Sequence, residues 1–355
     1  MLTRRFWLAS LVLCGVYGCG VEKPASKPVM GPGAAASSEA PPSSSPDPEA
    51  ALALPKTSRG TIGVSLLTFE NPFFKVIADH IESEGQKYGY DSILLSADED
   101  PAKQSNQVKD FIVRKVAAIV ISPCESRSIV PVIQEANAAG IPVFTVDIPC
   151  REPGVTIVSQ IATDNLGGGR EAGKAVIEAL GEAGGPVAIL HYKQAESCRL
   201  RVQGFREVID AHNAVAEEKI PIVGEYEGGA AKDSSSVAMK DILQSNDGLK
   251  AVFAINDPSA LGARAALEQA GQADSVIIVG FDGQPEGKQA IKDGKIYADP
   301  IQFPDRMGVE VVKAIVAHSK GQEVPAENLI PTKLYKKADA DQDASLKSPA
   351  PRRGD

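Results

Sequence analysis

The stretch from Ala251 to Gly283 constrains the fold more than any other part of the chain. It reads as an apolar run, AVFAIN, then DPSALGARAALEQAG with helical spacing, then a second apolar run, VIIVGFDG. Two short apolar runs joined by such a segment form a strand–helix–strand unit with parallel strands and a right-handed crossover. The carboxyl ends of parallel strands lie along one sheet edge, and open α/β sheets have their crevice there. Each run ends in a polar side chain, Asn256 and Asp282, so both are expected to face one crevice.

The rest of the chain repeats this alternation. Strands are expected at Ile62–Leu67, Ser92–Leu95, Ala117–Ser122, Val143–Asp147 and Thr156–Gln160, with helices starting near Pro72, Pro101 and Ser128 between them. A second series opens with a helix over Leu166–Leu180. Strands Val187–His191, Ile220–Glu225, Ala251–Asn256 and Val276–Phe281 follow, separated by helices near Cys198–His212, Lys232–Gln244 and Pro258–Ala270. Most of these strands are nearly continuous Val, Ile, Leu and Ala, the composition of strands covered on both faces. Two such series give an α/β chain with two doubly wound parallel-sheet lobes. A last strand and helix, Ile296–Gln302 and Pro304–His318, can join either lobe.

The termini have a different character. Arg4 and Arg5 followed by apolar Phe6–Leu13 have the form of a signal peptide over residues 1–18, too short to span a bilayer. Val16-Tyr17-Gly18-Cys19 resembles a lipobox, with Tyr17 replacing the usual small residue, and marks Cys19 for lipidation after export. Residues 19–58 are dominated by Pro, Ala and Ser and read as a flexible tether; residues 337–355 read as a disordered polar tail. Its closing Arg353-Gly354-Asp355 is read as a chance match to an adhesion motif. The formal charge of −9 becomes more negative once Arg4 and Arg5 are removed, which argues against a nucleic-acid partner.

The strand ends carry the chemistry. Asn71 precedes Pro72 and suits a helix N-cap. Phe73 and Phe74 follow; one can enter the core while the other offers an aromatic face at the crevice, able to stack on the C–H face of a sugar ring. Ser122 ends the third strand. Asp147 ends the fourth and offers two acceptor oxygens suited to vicinal hydroxyls. Across the crevice, Arg199 follows the strand Val187–His191 and offers a five-donor fork. Asn256, Phe281, Asp282 and Gln302 complete the candidate set.

Together Asn71-Pro72-Phe73-Phe74, Val146-Asp147, Ala162-Thr163-Asp164-Asn165, Arg199 with Gly204-Phe205, Asn256-Asp257, Val279-Gly280-Phe281-Asp282-Gly283 and Gln302 resemble the ribose-type periplasmic sugar-binding proteins of ABC importers, over Arg59 to Leu334. The resemblance implies a type I periplasmic binding protein fold. Its two lobes would be residues 59–162 with 303–330, and 163–302 with 331–336, joined by a three-segment hinge near Ala162, Gln302 and Ile330. It implies closure on a monosaccharide or similar polyhydroxylated ligand. Phe73 would stack, Phe74 and Phe281 would line the pocket, and Asn71, Asp147, Arg199, Asn256, Asp282 and Gln302 would hydrogen-bond. It implies a permease in the membrane as partner; the residues themselves suggest no cofactor, metal or catalytic group, and the leader and lipobox point to an exported, lipid-anchored chain, expected to be a monomer. The chain departs from the ribose pattern at Ile148, where Arg is expected, at Ser122, where Asn is expected, at Leu67, and near Gly229 and Ala230, where a second aromatic is expected. Each unpaired polar group so created costs about 1–3 kcal/mol, which disfavours ribose itself.

Two competing functions share these residues. A ligand sensor docking on a membrane kinase or chemoreceptor would use the same pocket. A glycoside-processing enzyme would use Asp147 and Asp282 as an acid–base pair. A transcription factor of this core needs a DNA-binding headpiece, and the leader and tether occupy that place. Outside Cys14 and Cys19, three cysteines remain; Cys124 and Cys150 follow neighbouring strands and are a feasible disulfide, and Cys198 adjoins Arg199.

Overall fold

The computed structural model describes residues 58–346. The expected leader, Cys19, most of the tether and the terminal Arg353-Gly354-Asp355 lie outside the described residues.

Two six-stranded sheets organise the chain. The first runs β11 (Glu327–Ile330), β5 (Ser159–Thr163), β4 (Val143–Val146), β3 (Ala118–Ile121), β1 (Thr61–Leu66), β2 (Asp91–Ser96), all parallel. The second runs β12 (Lys333–Lys336), β10 (Ala298–Ile301), β9 (Ile277–Val279), β8 (Ala251–Ala254), β6 (Val187–His191), β7 (Ile222–Glu227), parallel except for β12. Alternate residues along each strand feed opposite faces. In the first sheet Val64, Leu66, Val120 and Val146 pack under α1 (Pro72–Lys87) and α9 (Pro304–Ser319). Ile119, Ile121 and Val143 pack on the other face with α2 (Pro101–Val113) and α3 (Val130–Ala138). In the second sheet Val187, Ile189, Phe253 and Val279 pack under α4 (Asn165–Leu180) and α5 (Glu196–Val215). Leu190, Val252 and Ile278 pack on the opposite face, under α6 (Lys232–Ser245), α7 (Asp257–Gln269) and α8 (Pro285–Lys292). The result is the two-lobe fold of the type I periplasmic binding proteins.

Local chemistry sets the helix starts. Asn71, Asp100, Asp164 and Asn256 each cap a helix through a side-chain oxygen, and Pro occupies the first turn after three of them. α4 and α5 meet at glycines. A Cβ on Gly169 would stand 2.0 Å from Arg201 O, and one on Gly204 would stand 2.1 Å from Leu166 O, so only glycine permits this approach.

The chain crosses between the sheets three times: from β5 into α4, from β10 into α9, and from β11 into β12. Phe303, at the second crossing, packs against the cores of both lobes.

Two strands lie further along the chain than the apolar runs suggest. Asn137 takes both backbone groups of Thr156 out of the ladder, with Thr156 N–H on Oδ1 at 2.8 Å and Nδ2 on Thr156 O at 3.0 Å, and β5 starts only at Ser159. Asn213 does the same to Ile220, at 2.7 and 2.8 Å, and β7 starts at Ile222. The tail expected from residue 337 instead begins with a short helix, α10 (Lys337–Gln342), which packs against α8 and buries Ala340 completely.

Candidate functional site

The carboxyl edges of the two sheets contribute the strand-end side chains. From the first lobe come Asn71, Phe73 and Phe74 after β1, Ser122 after β3 and Asp147 after β4. From the second come Asn256 after β8 and Phe281 and Asp282 after β9, with Gln302 after β10 at the second crossing.

A continuous polar network joins this edge to the crossings. Asp282 Oδ1 accepts from Arg201 Nη1 at 2.8 Å and from Gln302 Nε2 at 2.6 Å. Gln302 Oε1 accepts from Thr163 Oγ1 at 2.6 Å, which ties the end of β5 into the same chain. Arg201 Nε donates to Asn165 Oδ1 at 2.8 Å, Nη1 also donates to Ile255 O at 2.7 Å, and the guanidinium lies 3.8 Å over the Phe281 ring. Arg201 is 5% exposed, yet its Nη2 has no hydrogen-bond partner among the described residues.

The arginine of this site is therefore Arg201, and the expectation for Arg199 is corrected. Arg199 is exposed and donates to Lys193 O at 2.7 Å and Gln194 O at 3.2 Å. Two residues along an α-helix turn a side chain by about 200°, so of the two arginines on α5 only one can point inward. The signal was present in Arg201-Val202-Gln203-Gly204-Phe205: Arg201 precedes by three the glycine that presses α5 onto α4, so both lie on one helix face.

Asp147 faces this network from the other lobe. Its carboxyl is pushed up to about 6 by burial; Arg201 opposes the shift and Asp282 adds to it, so groups of both lobes act on one another across the crevice. Asp147 caps no helix and has no side-chain donor among the described residues. Asp282 is also raised, by burial above all, against the pull of Arg201 and Gln302. Both acids stand on left-handed backbone, with φ of 63° and 101°. Strain of this kind concentrates where side-chain direction matters.

The remaining groups differ in availability. Asn71 Oδ1 is occupied by the Phe73 N–H at 3.0 Å, which leaves its amide nitrogen unpartnered among the described residues. Asn256 caps α7 through Oδ1 and donates Nδ2 to Ala230 O at 2.9 Å. Phe73 and Phe74 are both buried, edge to face with centroids 5.3 Å apart, so neither ring projects freely. Phe281 is fully buried beneath Arg201 and supports it. Ser122 is fully buried with Oγ unpartnered among the described residues. Half-buried Leu67, Phe69 and Ile148 pack against the Phe73–Phe74 cluster. Arg151, following β4, pairs with Glu196 at the start of α5 and with Glu327 on β11 at 2.6 Å, which links the lobes again.

The feasible disulfide is not formed: Cys124, Cys150 and Cys198 are free thiols. Cys150 Sγ instead points at Ser126 O, 3.3 Å away, while the Cys124 N–H is held by Gln104 Oε1 at 2.8 Å.

A family model described as a periplasmic binding protein domain matches residues 62–323. The chain is 34% identical over 277 residues to the ribose import binding protein RbsB of Salmonella typhimurium, covering 78% of this chain and 90% of the relative. It is also 34% identical over 284 residues to a D-apiose import binding protein of Paraburkholderia graminis, covering 79% and 88%. The structure of an ABC transporter solute-binding protein from Actinobacillus succinogenes with bound D-allose superposes with a TM-score of 0.73 at 25% identity, over 80% of this chain and all of that one. A two-lobe sheet architecture, three crossings and a domain match over most of the length agree: the chain belongs to the periplasmic binding protein family.

Proposed function

We propose that this chain is the substrate receptor of an ABC-type importer and closes on a monosaccharide or small polyol. The observation that carries the proposal is the buried Asp147 of one lobe opposite the Arg201–Asp282–Gln302 network of the other. Asp147 contributes two acceptor oxygens, Arg201 Nη2 and Asn71 Nδ2 contribute donors, and Asn256, Asp282 and Gln302 fix the second-lobe edge. Phe73 and Phe74 form the apolar wall, and Phe281 backs the guanidinium.

Contacts made only in the closed form supply the free energy of closure. Moving a population from 1:99 to 99:1 takes about 5.5 kcal/mol, and hydrogen bonds to charged groups contribute about 1.5–3 kcal/mol each. Two or three hydroxyls shared between Asp147 and Arg201 are enough. Cys19 would carry the lipid and residues 20–58 the spacer that holds the receptor near its permease.

A thermal-shift screen of pentoses, hexoses and polyols, led by D-ribose, D-apiose and D-allose, tests the reading. A ligand that binds only the folded form raises the melting temperature. Failure of every such compound to shift well-folded protein would remove the proposal.

A further inference from the structure

Two acids outside the ligand network are buried deeper than Asp147 and Asp282. Asp257 opens α7 directly after Asn256 and is 1% exposed; Asp299 lies on β10, shortly before Gln302, and is fully enclosed. Each carboxyl acts on the titration of the other, so the two lie close together. Asp257 Oδ2 accepts from the Gln284 N–H at 2.6 Å, two residues past Asp282. Asp257 Oδ1 and both oxygens of Asp299 find no donor among the described residues. Glycines leave the pair its room: a Cβ on Gly287 would stand 2.0 Å from Asp257 Oδ1, and one on Gly280 would stand 2.5 Å from Asp299 Oδ1.

Two ionised carboxylates cannot face each other in a dry interior, because each offers only acceptors and both carry the same charge. One proton between them makes one oxygen a donor and removes the repulsion. We propose that Asp257 and Asp299 share a single proton at neutral pH, and that this bridge is a positioning device for the binding edge. It joins the segment of Asn256, through Gln284 the segment of Asp282, and through β10 the segment of Gln302. The positioning half rests on the ligand reading above; the proton bridge does not.

Burial and the facing Asp299 hold the Asp257 carboxyl well above the usual range, while burial pushes Asp299 up to about 6. The other charges acting on the pair are Asp282, which adds to the repulsion, and Lys288 on α8, which favours an ionised Asp299. A proton bound by the folded chain and absent from the unfolded one makes stability fall as pH rises through the folded titration. The Asp299 share is lost as pH rises through about 6, and the Asp257 share at higher pH. Asp147 and Asp282 titrate in the same direction, so a variant comparison is needed to isolate the pair.

The experiment is thermal melting of the full chain, without ligand, from about pH 7 to about pH 9.5, for wild type, Asp257→Asn and Asp299→Asn. Asparagine keeps the shape and donates an N–H to the facing carboxylate, so the bridge persists without its titratable proton. The wild type is expected to lose about 2–4 °C per pH unit more than either variant across the alkaline limb, beyond the decline that all three share because burial keeps the thiols of Cys124, Cys150 and Cys198 protonated. A flat wild type, or variants that fall in parallel with it, overturns the proposal. Should one variant fail to fold, infrared spectra of the wild type and the variant that folds decide at neutral pH: a protonated-carboxyl stretching band present in the wild type and lost in the variant supports the bridge, and identical spectra overturn it. For the positioning half, calorimetry with D-allose or D-ribose should show affinity falling about tenfold over the same range in wild type and not in Asp257→Asn. If no pentose, hexose or polyol of the thermal-shift screen binds at any pH while the melting limb is present, the ligand reading fails and the bridge stands.

Discussion

Replacing Arg201 by methionine removes the cation at the centre of the crevice and leaves its partners in place. Asp282 Oδ1, Asn165 Oδ1 and Ile255 O lose donors that now lie 2.7–2.8 Å away, and the Phe281 ring loses its cation. Arg201 and Asp282 are 5% and 9% exposed, so water does not replace the lost bonds. Breaking a buried ion pair from one side costs about 3–5 kcal/mol. In urea, with a slope near 3 kcal/mol/M, that corresponds to a midpoint shift of roughly 1–1.7 M. Without the guanidinium Asp282 binds its proton more readily, so the difference from wild type should shrink near pH 5, where a neutral carboxyl is less costly to leave unpaired. Arg199→Met is the control. That side chain is exposed and meets only two backbone carbonyls, and its loss should change stability by no more than about 0.5 kcal/mol. Equal midpoint shifts for the two variants, or a shift below about 1 kcal/mol for Arg201→Met, would refute the assignment of Arg201 to the buried network.

Other expectations follow from the same geometry. Because burial raises Asp147 to about 6, ligand-free wild type should lose about 1 kcal/mol between pH 5 and pH 7.5 that Asp147→Asn does not lose; identical urea titrations at both pH values would contradict the shift. Gly204→Ala drives a Cβ into Leu166 O and should cost about 1–3 kcal/mol by denaturation while weakening ligand binding through the displaced Arg201; an unchanged midpoint would mean that α5 moves freely. Alkylation of unfolded protein without reductant should label both Cys124 and Cys150, and a cross-linked peptide pair would overturn the free-thiol arrangement.

The fold was legible because burial on both faces forces strands into unbroken apolar runs, and because Asn71-Pro72 and Pro101 mark where helices start. Strand limits were less legible. Val155–Ile157 and Ile220 have strand composition, and it is Asn137 and Asn213, on preceding elements, that remove them from the ladders. Of the site, Asp147, Asn256, Asp282 and Gln302 were readable as polar groups ending apolar strands. Arg201 was not, since the choice between two arginines depends on the rotational phase of α5, which packing against α4 fixes. Thr163 and Asn165 stood in a motif without a role until the network joined them to Gln302 and Arg201. Asp299 interrupts the apolar run Ala298–Ile301, and only the fold reveals that Asp257 faces it.

On the proposed reading, side chains of opposite lobes grip one hydroxyl-rich ligand. Titration calorimetry of wild type and Asp147→Asn, with the sugar that gives the largest thermal shift, tests it most directly. Binding should be one-to-one and weaken roughly 10–100-fold when the first-lobe carboxylate becomes an amide, the loss of one charge-assisted hydrogen bond. Equal affinity for the two proteins would contradict it.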